Sequence, residues 1–180
     1  RQPKGSTFMR AFAVIGTREP DAHRLKLLQE YLVDKHRAFP GAILSTGGAV
    51  GIDQLAARGW LELGGLVFLA LPWVGYERDA GRVLLQQHPG RVAVGYGSKP
   101  AHWELAARLH PAWENLGRGA RALHARNVRI INPVDEVFAL PGTKSWGGGT
   151  GLGIKVAYAL GKSVLLPIRK DLEQPAEAMW

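Results

Sequence analysis

Ser45-Thr46-Gly47-Gly48-Ala49-Val50-Gly51-Ile52-Asp53 follows the apolar run Gly41-Ala42-Ile43-Leu44 and opens a segment, Gln54 to Leu63, that reads as helix. A glycine-rich turn between a buried strand and a helix is a phosphate-binding device. The glycines let the backbone approach an anion closely, and the helix start supplies unpaired N–H groups at the positive end of its dipole. A second run, Gly147-Gly148-Gly149-Thr150-Gly151-Leu152-Gly153, leads into another helix. Two such turns in one small α/β chain predict one nucleotide site built from both. Thr46, Gly47, Gly48 and Gly51 are its expected residues in the first turn, and Gly148, Gly149 and Thr150 in the second.

Outward from that turn, strands and helices alternate. Ala11-Phe12-Ala13-Val14-Ile15, ended by Gly16, is a continuous apolar run that suits a strand buried on both faces. Asp21 to Ala38 carries Leu25, Leu28 and Leu32 at helical spacing and stops at Pro40-Gly41. Gly64-Gly65 closes the helix after the glycine turn, and Leu66 to Leu71 forms a strand ending at Pro72. Arg78 to Gln87 is expected to be helical and Arg91 to Gly95 a short strand. Ala101 to Leu109 and Ala112 to Arg126 read as helices separated at Pro111. Glu136 to Leu140 is a strand, Pro141 to Gly149 a loop, Leu152 to Leu160 a helix and Ser163 to Leu166 the last strand. This order predicts an α/β, Rossmann-like three-layer sandwich, a mainly parallel sheet flanked by helices with right-handed crossovers. Ligands of such sheets sit beyond the C-terminal ends of the strands, so the segments after each strand should converge on one rim.

The bulk numbers agree with a single compact domain. Of 180 residues, 46% are hydrophobic and 21% charged, enough for a proper core and too apolar for wholesale disorder. The net charge of +8 favours polyanionic partners, although the basic residues are scattered rather than clustered. With no cysteine, disulfides, thiolate metal sites and cysteine nucleophiles are excluded, and a reducing cytoplasm is the expected location. No apolar run approaches the roughly 18 residues of a membrane span, and no membrane partner is expected. Residues 1–8 are expected to be a polar tail foreign to the domain, with Met9 as the natural start; residues 9–168 form the domain and 169–180 a charged C-terminal tail.

Val14-Ile15-Gly16-Thr17-Arg18, followed by the turn Ser45 to Asp53, resembles the SLOG superfamily, in particular the Rossmann-like domain of the DNA-processing protein A (DprA) family. That family has a G-S-R turn after the first strand and an S-G-x-A-x-G-I-D turn after the second. Arg126-Asn127-Val128-Arg129-Ile130 matches its R-N-x-x-I segment ahead of a later strand, and Gly161-Lys162 with the strand ending at Pro167 keeps its order. The resemblance covers residues 10–168. Thr17 stands where the family has serine, and the stretch from Arg91 to Arg126 is longer and more helical than in DNA-processing proteins. The LOG phosphoribohydrolases, a sister family, carry P-G-G-x-G-T-x-x-E. Gly148-Gly149-Thr150 is similar to its glycines, but Gly, Leu, Gly and Ile follow Thr150, so the glutamate of that enzyme is missing.

The resemblance implies binding of a nucleotide such as AMP or GMP, or of a nucleic-acid end, with no other cofactor. The alternatives are a nucleotide N-glycosidic hydrolase of the LOG kind and a single-stranded DNA-binding protein. It also implies a homodimer or homotetramer. Gly16, Thr17 and Arg18 join the expected site, Arg18 because its guanidinium suits a phosphate. Asp53 interacts with the helix dipole, or else holds a ribose hydroxyl or the adjacent loop. Arg126 and Asn127 are expected to face the same rim, Asn127 reading a base edge or a loop carbonyl. Trp73 and Trp146 fall in rim loops where they would stack on a base, whereas Trp60, Trp103 and Trp113 read as packing residues. Glu77 is the sole candidate acid for catalysis. The six histidines lack metal-ligand spacing, so no metal is expected. Gly161-Lys162-Ser163 is not a P-loop: Val156 occupies the required glycine position and a strand follows. No serine sits in a G-x-S-x-G elbow.

Overall fold

A computed structural model describes residues 10–142 and 148–168. The elements are β1 Ala11–Gly16, α1 Ala22–Ala38, β2 Ile43–Thr46, α2 Ile52–Glu62, β3 Leu66–Leu71, α3 Ala80–Gln87, β4 Val92–Tyr96, α4 Pro100–Leu109, α5 Arg118–Ile131, β5 Glu136–Leu140, α6 Gly148–Ala159 and β6 Ser163–Leu165. The six strands form one sheet in the order β4-β3-β2-β1-β5-β6, and every pair is parallel. The chain winds outward from β1 to β4, then returns to lay β5 against the other side of β1. The direction of winding reverses between β1 and β5, and a doubly wound sheet opens its ligand crevice at that reversal.

Helices pack on both faces of the sheet. Phe12, Val14, Leu44 and Leu69 lie under Leu28 and Leu32 of α1, Ile52 and Trp60 of α2, and Leu84 of α3. Ala13, Ile15, Val137 and Ala139 lie under Val128 and Ile131 of α5 and Leu152 and Val156 of α6, with Ala106 of α4 beyond. Small residues bring α6 close to the sheet. A Cβ on Gly153 would stand 2.6 Å from Ile15 Cδ1.

Four expectations are corrected. Leu25 does not share the buried stripe of α1: it is 40% exposed, and Arg24 is buried instead. The Arg24 Nε donates to Pro141 O at 2.7 Å and its Nη1 pairs with Asp21 at 2.6 Å, so the start of α1 is tied to the end of β5. The expected helix from Ala112 to Arg126 is a short 3₁₀ turn, Trp113–Asn115, followed by α5. α5 begins only after Gly117 and runs on to Ile131, carrying the Arg126-Asn127 pair within it. α6 starts at Gly148 rather than Leu152 because packing against α5 overrides the poor helix propensity of its glycines. α3 starts at Ala80 because Glu77, Arg78 and Asp79 are left-handed, with φ of 50°, 55° and 60°. Three consecutive non-glycine residues in that region store strain at the rim.

Candidate functional site

The turns after β1, β2 and β5 do meet. β1 and β5 end level, Gly16 opposite Leu140, and Thr17 N donates to Leu140 O at 2.9 Å. Ile52 N donates to Thr17 O at 3.1 Å, which locks the start of α2 beneath the β1 turn. Gly51, at φ 94°, permits this contact: a Cβ there would stand 2.4 Å from Thr17 O. Above these turns lies a cavity of about 500 Å³ at the β1–β5 reversal.

The first glycine turn reaches that cavity through Ala49 and Asp53, while Gly47, Gly48 and Gly51 stand outside its lining. Asp53, in the first turn of α2, folds back so that its carboxylate takes the amides of Ala49, Gly47 and Gly16. Arg126 reaches in from α5, donates from Nη1 to Gly47 O and faces Asp53 Oδ2 at 3.9 Å. Both side chains are 7% exposed. Burial pushes the Asp53 carboxyl up, against the opposing pull of the Arg126 guanidinium and those amides. Thr46 is fully buried and its hydroxyl donates to Val14 O at 2.9 Å. Thr46, Gly47, Gly48 and Gly51 therefore stand behind the cavity wall, and the amides of Gly47 and Ala49 face an internal carboxylate.

The second glycine turn does open into it. Gly148, Gly149 and Thr150, the first turn of α6, line the cavity. The first amides of a helix have no intrahelical acceptor and carry the positive end of the dipole. No acidic residue occupies this turn. Asn127 holds it in place, donating from Nδ2 to Gly149 O at 2.9 Å. Across the cavity stand Gly16, Thr17 and Arg18. Arg18 is solvent-exposed and held by two partners, Glu77 at 2.8 Å and the Tyr76 hydroxyl at 3.1 Å. The left-handed run from Glu77 to Asp79 places this carboxylate. Glu77 itself stands outside the cavity lining, paired with Arg18.

Of the other expected residues, Asp53, Arg126 and Asn127 reach the cavity wall. Trp73 does not: it lies 41% exposed outside the lining, edge-on to Tyr76 at 5.4 Å. Trp146 lies outside the described residues. Trp60 is fully buried, and Trp103 and Trp113 meet edge-to-face at 6.3 Å, as packing residues do. Sequence reasoning missed Tyr76, Leu123 and His124 in the lining. Ala120, Leu123, His124 and Asn127 fall at i, i+3, i+4 and i+7 on α5, a periodicity that would have found them together. His124 is buried against His110, ring centroids 4.6 Å apart. Burial, with His110 and Arg126 nearby, pushes its imidazole down to about 4, so it is neutral at pH 7. Among the described residues, no group of three or more His, Asp or Glu is arranged to hold a metal.

The fold built around this rim has counterparts. One is DNA processing protein A from Streptococcus pneumoniae, at a TM-score of 0.63 and 18% identity over 92% of this chain. The chain has a DprA-like, Rossmann-like fold. DprA from Helicobacter pylori, which binds single-stranded DNA, aligns at 0.58 and 18% identity over 86% of the chain. The Moco carrier protein of Chlamydomonas reinhardtii aligns at 0.51 and 22% over 94%, covering 79% of that protein. The chain spans 54% and 63% of the two DprA chains. No family model and no curated protein matches the sequence. None of the helices among the described residues is long and apolar enough to cross a membrane.

Proposed function

We propose that this chain binds a nucleotide through its phosphate group, at the start of α6 rather than at the turn after β2. One observation supports the reading: of two glycine-rich turns beside one DprA-like crevice, the first has Asp53 and Arg126 packed onto it, and Gly148, Gly149 and Thr150 of the second line the cavity. The phosphate accepts from the amides of Gly149 and Thr150 and from Arg18, which swings from Glu77 towards it. Base and sugar extend along the α5 wall of Ala120, Leu123 and neutral His124. Hydrolysis of the N-glycosidic bond finds less support, because Glu19 and Asp53 are the only carboxylates in the described lining and Asp53 is already engaged.

Calorimetry tests this. AMP or GMP should bind one-to-one at micromolar Kd, and Arg18→Ala should weaken binding about tenfold, the loss of one charge-assisted bond. A chain that ignores mononucleotides but binds long oligodeoxynucleotides with steep salt dependence would act on single-stranded DNA instead, the reading that the +8 charge favours.

A further inference from the structure

A second cavity runs along the β2–β4 side of the sheet, on the face covered by α5 and α4. It reaches from the starts of β2, β3 and β4 to the start of α4 and measures about 750 Å³, larger than the cavity at the rim. Its floor is apolar. Ile43 and Leu66, at the starts of their strands, are 40% and 41% exposed, and Phe68, Val92 and Ala93 continue the surface. Its walls are basic: Arg10, Arg91, Lys99, His102 and Arg129 line it, and among the described residues no carboxylate does.

Two of these cations are fixed by neutral groups. Arg129 lies over the Phe68 ring at 5.6 Å and donates from Nη1 to Tyr96 O at 2.7 Å and Gly97 O at 2.6 Å. Gly95 makes the room, because a Cβ there would stand 2.2 Å from Arg129 Nη2. Arg91 donates to Leu61 O at 2.7 Å and meets His88 Nδ1 at 3.1 Å. Among the described residues no carboxylate pairs with Arg91, Lys99 or Arg129. Lys99 caps the start of α4, whose first turn holds no acid, so the helix dipole adds to the same field. His102 senses that field. Burial, then Arg129 and Lys99, push its imidazole down, and its Nδ1 accepts from Lys99 N at 3.2 Å, leaving the proton on Nε2.

Arg91, Lys99 and Arg129, without a carboxylate partner among the described residues and set around an apolar floor of this volume, describe a site for a small molecule with an anionic head and an apolar body. We propose that this cleft is a second binding site, for a small amphiphilic anion: a carboxylate, sulfonate or phosphate on an aromatic or branched aliphatic body. The head group sits among Lys99, His102 and Arg129, and the body covers Ile43, Leu66 and Phe68. A second copy of the chain suits the cleft poorly, since a two-fold contact would set these cations against themselves.

The probe is 8-anilinonaphthalene-1-sulfonate, an aromatic sulfonate that fluoresces in apolar sites, with uncharged N-phenyl-1-naphthylamine as its counterpart. The folded protein should bind the sulfonate at one saturable site, more tightly than the neutral probe. Lys99→Glu should weaken the sulfonate about tenfold and leave the neutral probe unchanged. The lysine is exposed and an acid at a helix start is tolerated, so this variant folds. Ala93→Trp should fill the cleft and abolish both signals. Saturating AMP should displace neither probe. Wild-type sulfonate binding by both variants, or equal affinity for the two probes, would overturn the proposal. So would displacement by a thymidine oligonucleotide, which would make the cleft a nucleic-acid track, or a dimer that excludes the probe.

Discussion

Replacing Arg126 with Met should cost this fold more than any exposed substitution. The guanidinium and the Asp53 carboxylate are each 7% exposed and 3.9 Å apart. Removing the cation leaves a buried carboxylate with backbone amides as its only partners and strips Gly47 O of its donor. Breaking one side of a buried pair costs about 3–5 kcal/mol. For a chain of this size that is a fall in Tm of roughly 10 °C. Asp53→Asn should cost less, about 2 kcal/mol, because the amide oxygen still accepts while Arg126 loses its counter-charge. The double variant should be more stable than the two costs added together, by about 1–3 kcal/mol, since neither charge is then left alone. Urea unfolding followed by the fluorescence of buried Trp60 measures all four proteins. An Arg126→Met cost below about 1 kcal/mol, or strictly additive costs, would refute a closed first turn.

Two further outcomes follow from the same rim. His124 titrates near 4 in the folded chain against 6.5 for a free histidine, so the unfolded chain holds the extra proton between those values. Stability is therefore lost as pH falls from about 6.5 towards 4, by roughly 1–2 kcal/mol once solvent screening is allowed for. His124→Leu should flatten Tm across that window, and an unchanged pH profile would exclude His124 as the cause. Glu77→Ala should free Arg18 and tighten AMP binding about threefold, the scale of an exposed ion pair. Calorimetry showing weaker binding would mean that Glu77 positions Arg18 for the ligand instead of competing for it.

The fold was legible because its signals are local. Buried runs such as Phe12 to Ile15 and the glycines after β1 and β2 read as parallel strands feeding helices; the strand order, which places β5 beside β1, was not legible in them. The residues that gather at the rim were also legible, since Gly16, Arg18, Asp53 and Gly148 each follow or open an element. Which of them stay available was not. That Asp53 would turn back on the amides of Gly47 and Ala49, and that Arg126 would cross from α5 to meet it, depends on how α5 packs over the rim, and that helix runs five residues past Arg126, its expected end. The α5 wall is invisible to metal-ligand spacing, because His124 belongs with Ala120, Leu123 and Asn127 at helical spacing. Arg24 shows the limit most plainly, as an arginine in a polar helix pattern that is buried because Pro141 O, over a hundred residues later, needs a donor.

The account stands most directly on where a phosphate comes to rest. A crystal structure with AMP should place the phosphorus over Gly149 and Thr150, with Arg18 turned from Glu77 towards it and the Asp53–Arg126 pair intact. A phosphate seated on Gly47 and Gly48 with Asp53 displaced, or AMP bound away from the β1–β5 crevice, would contradict it.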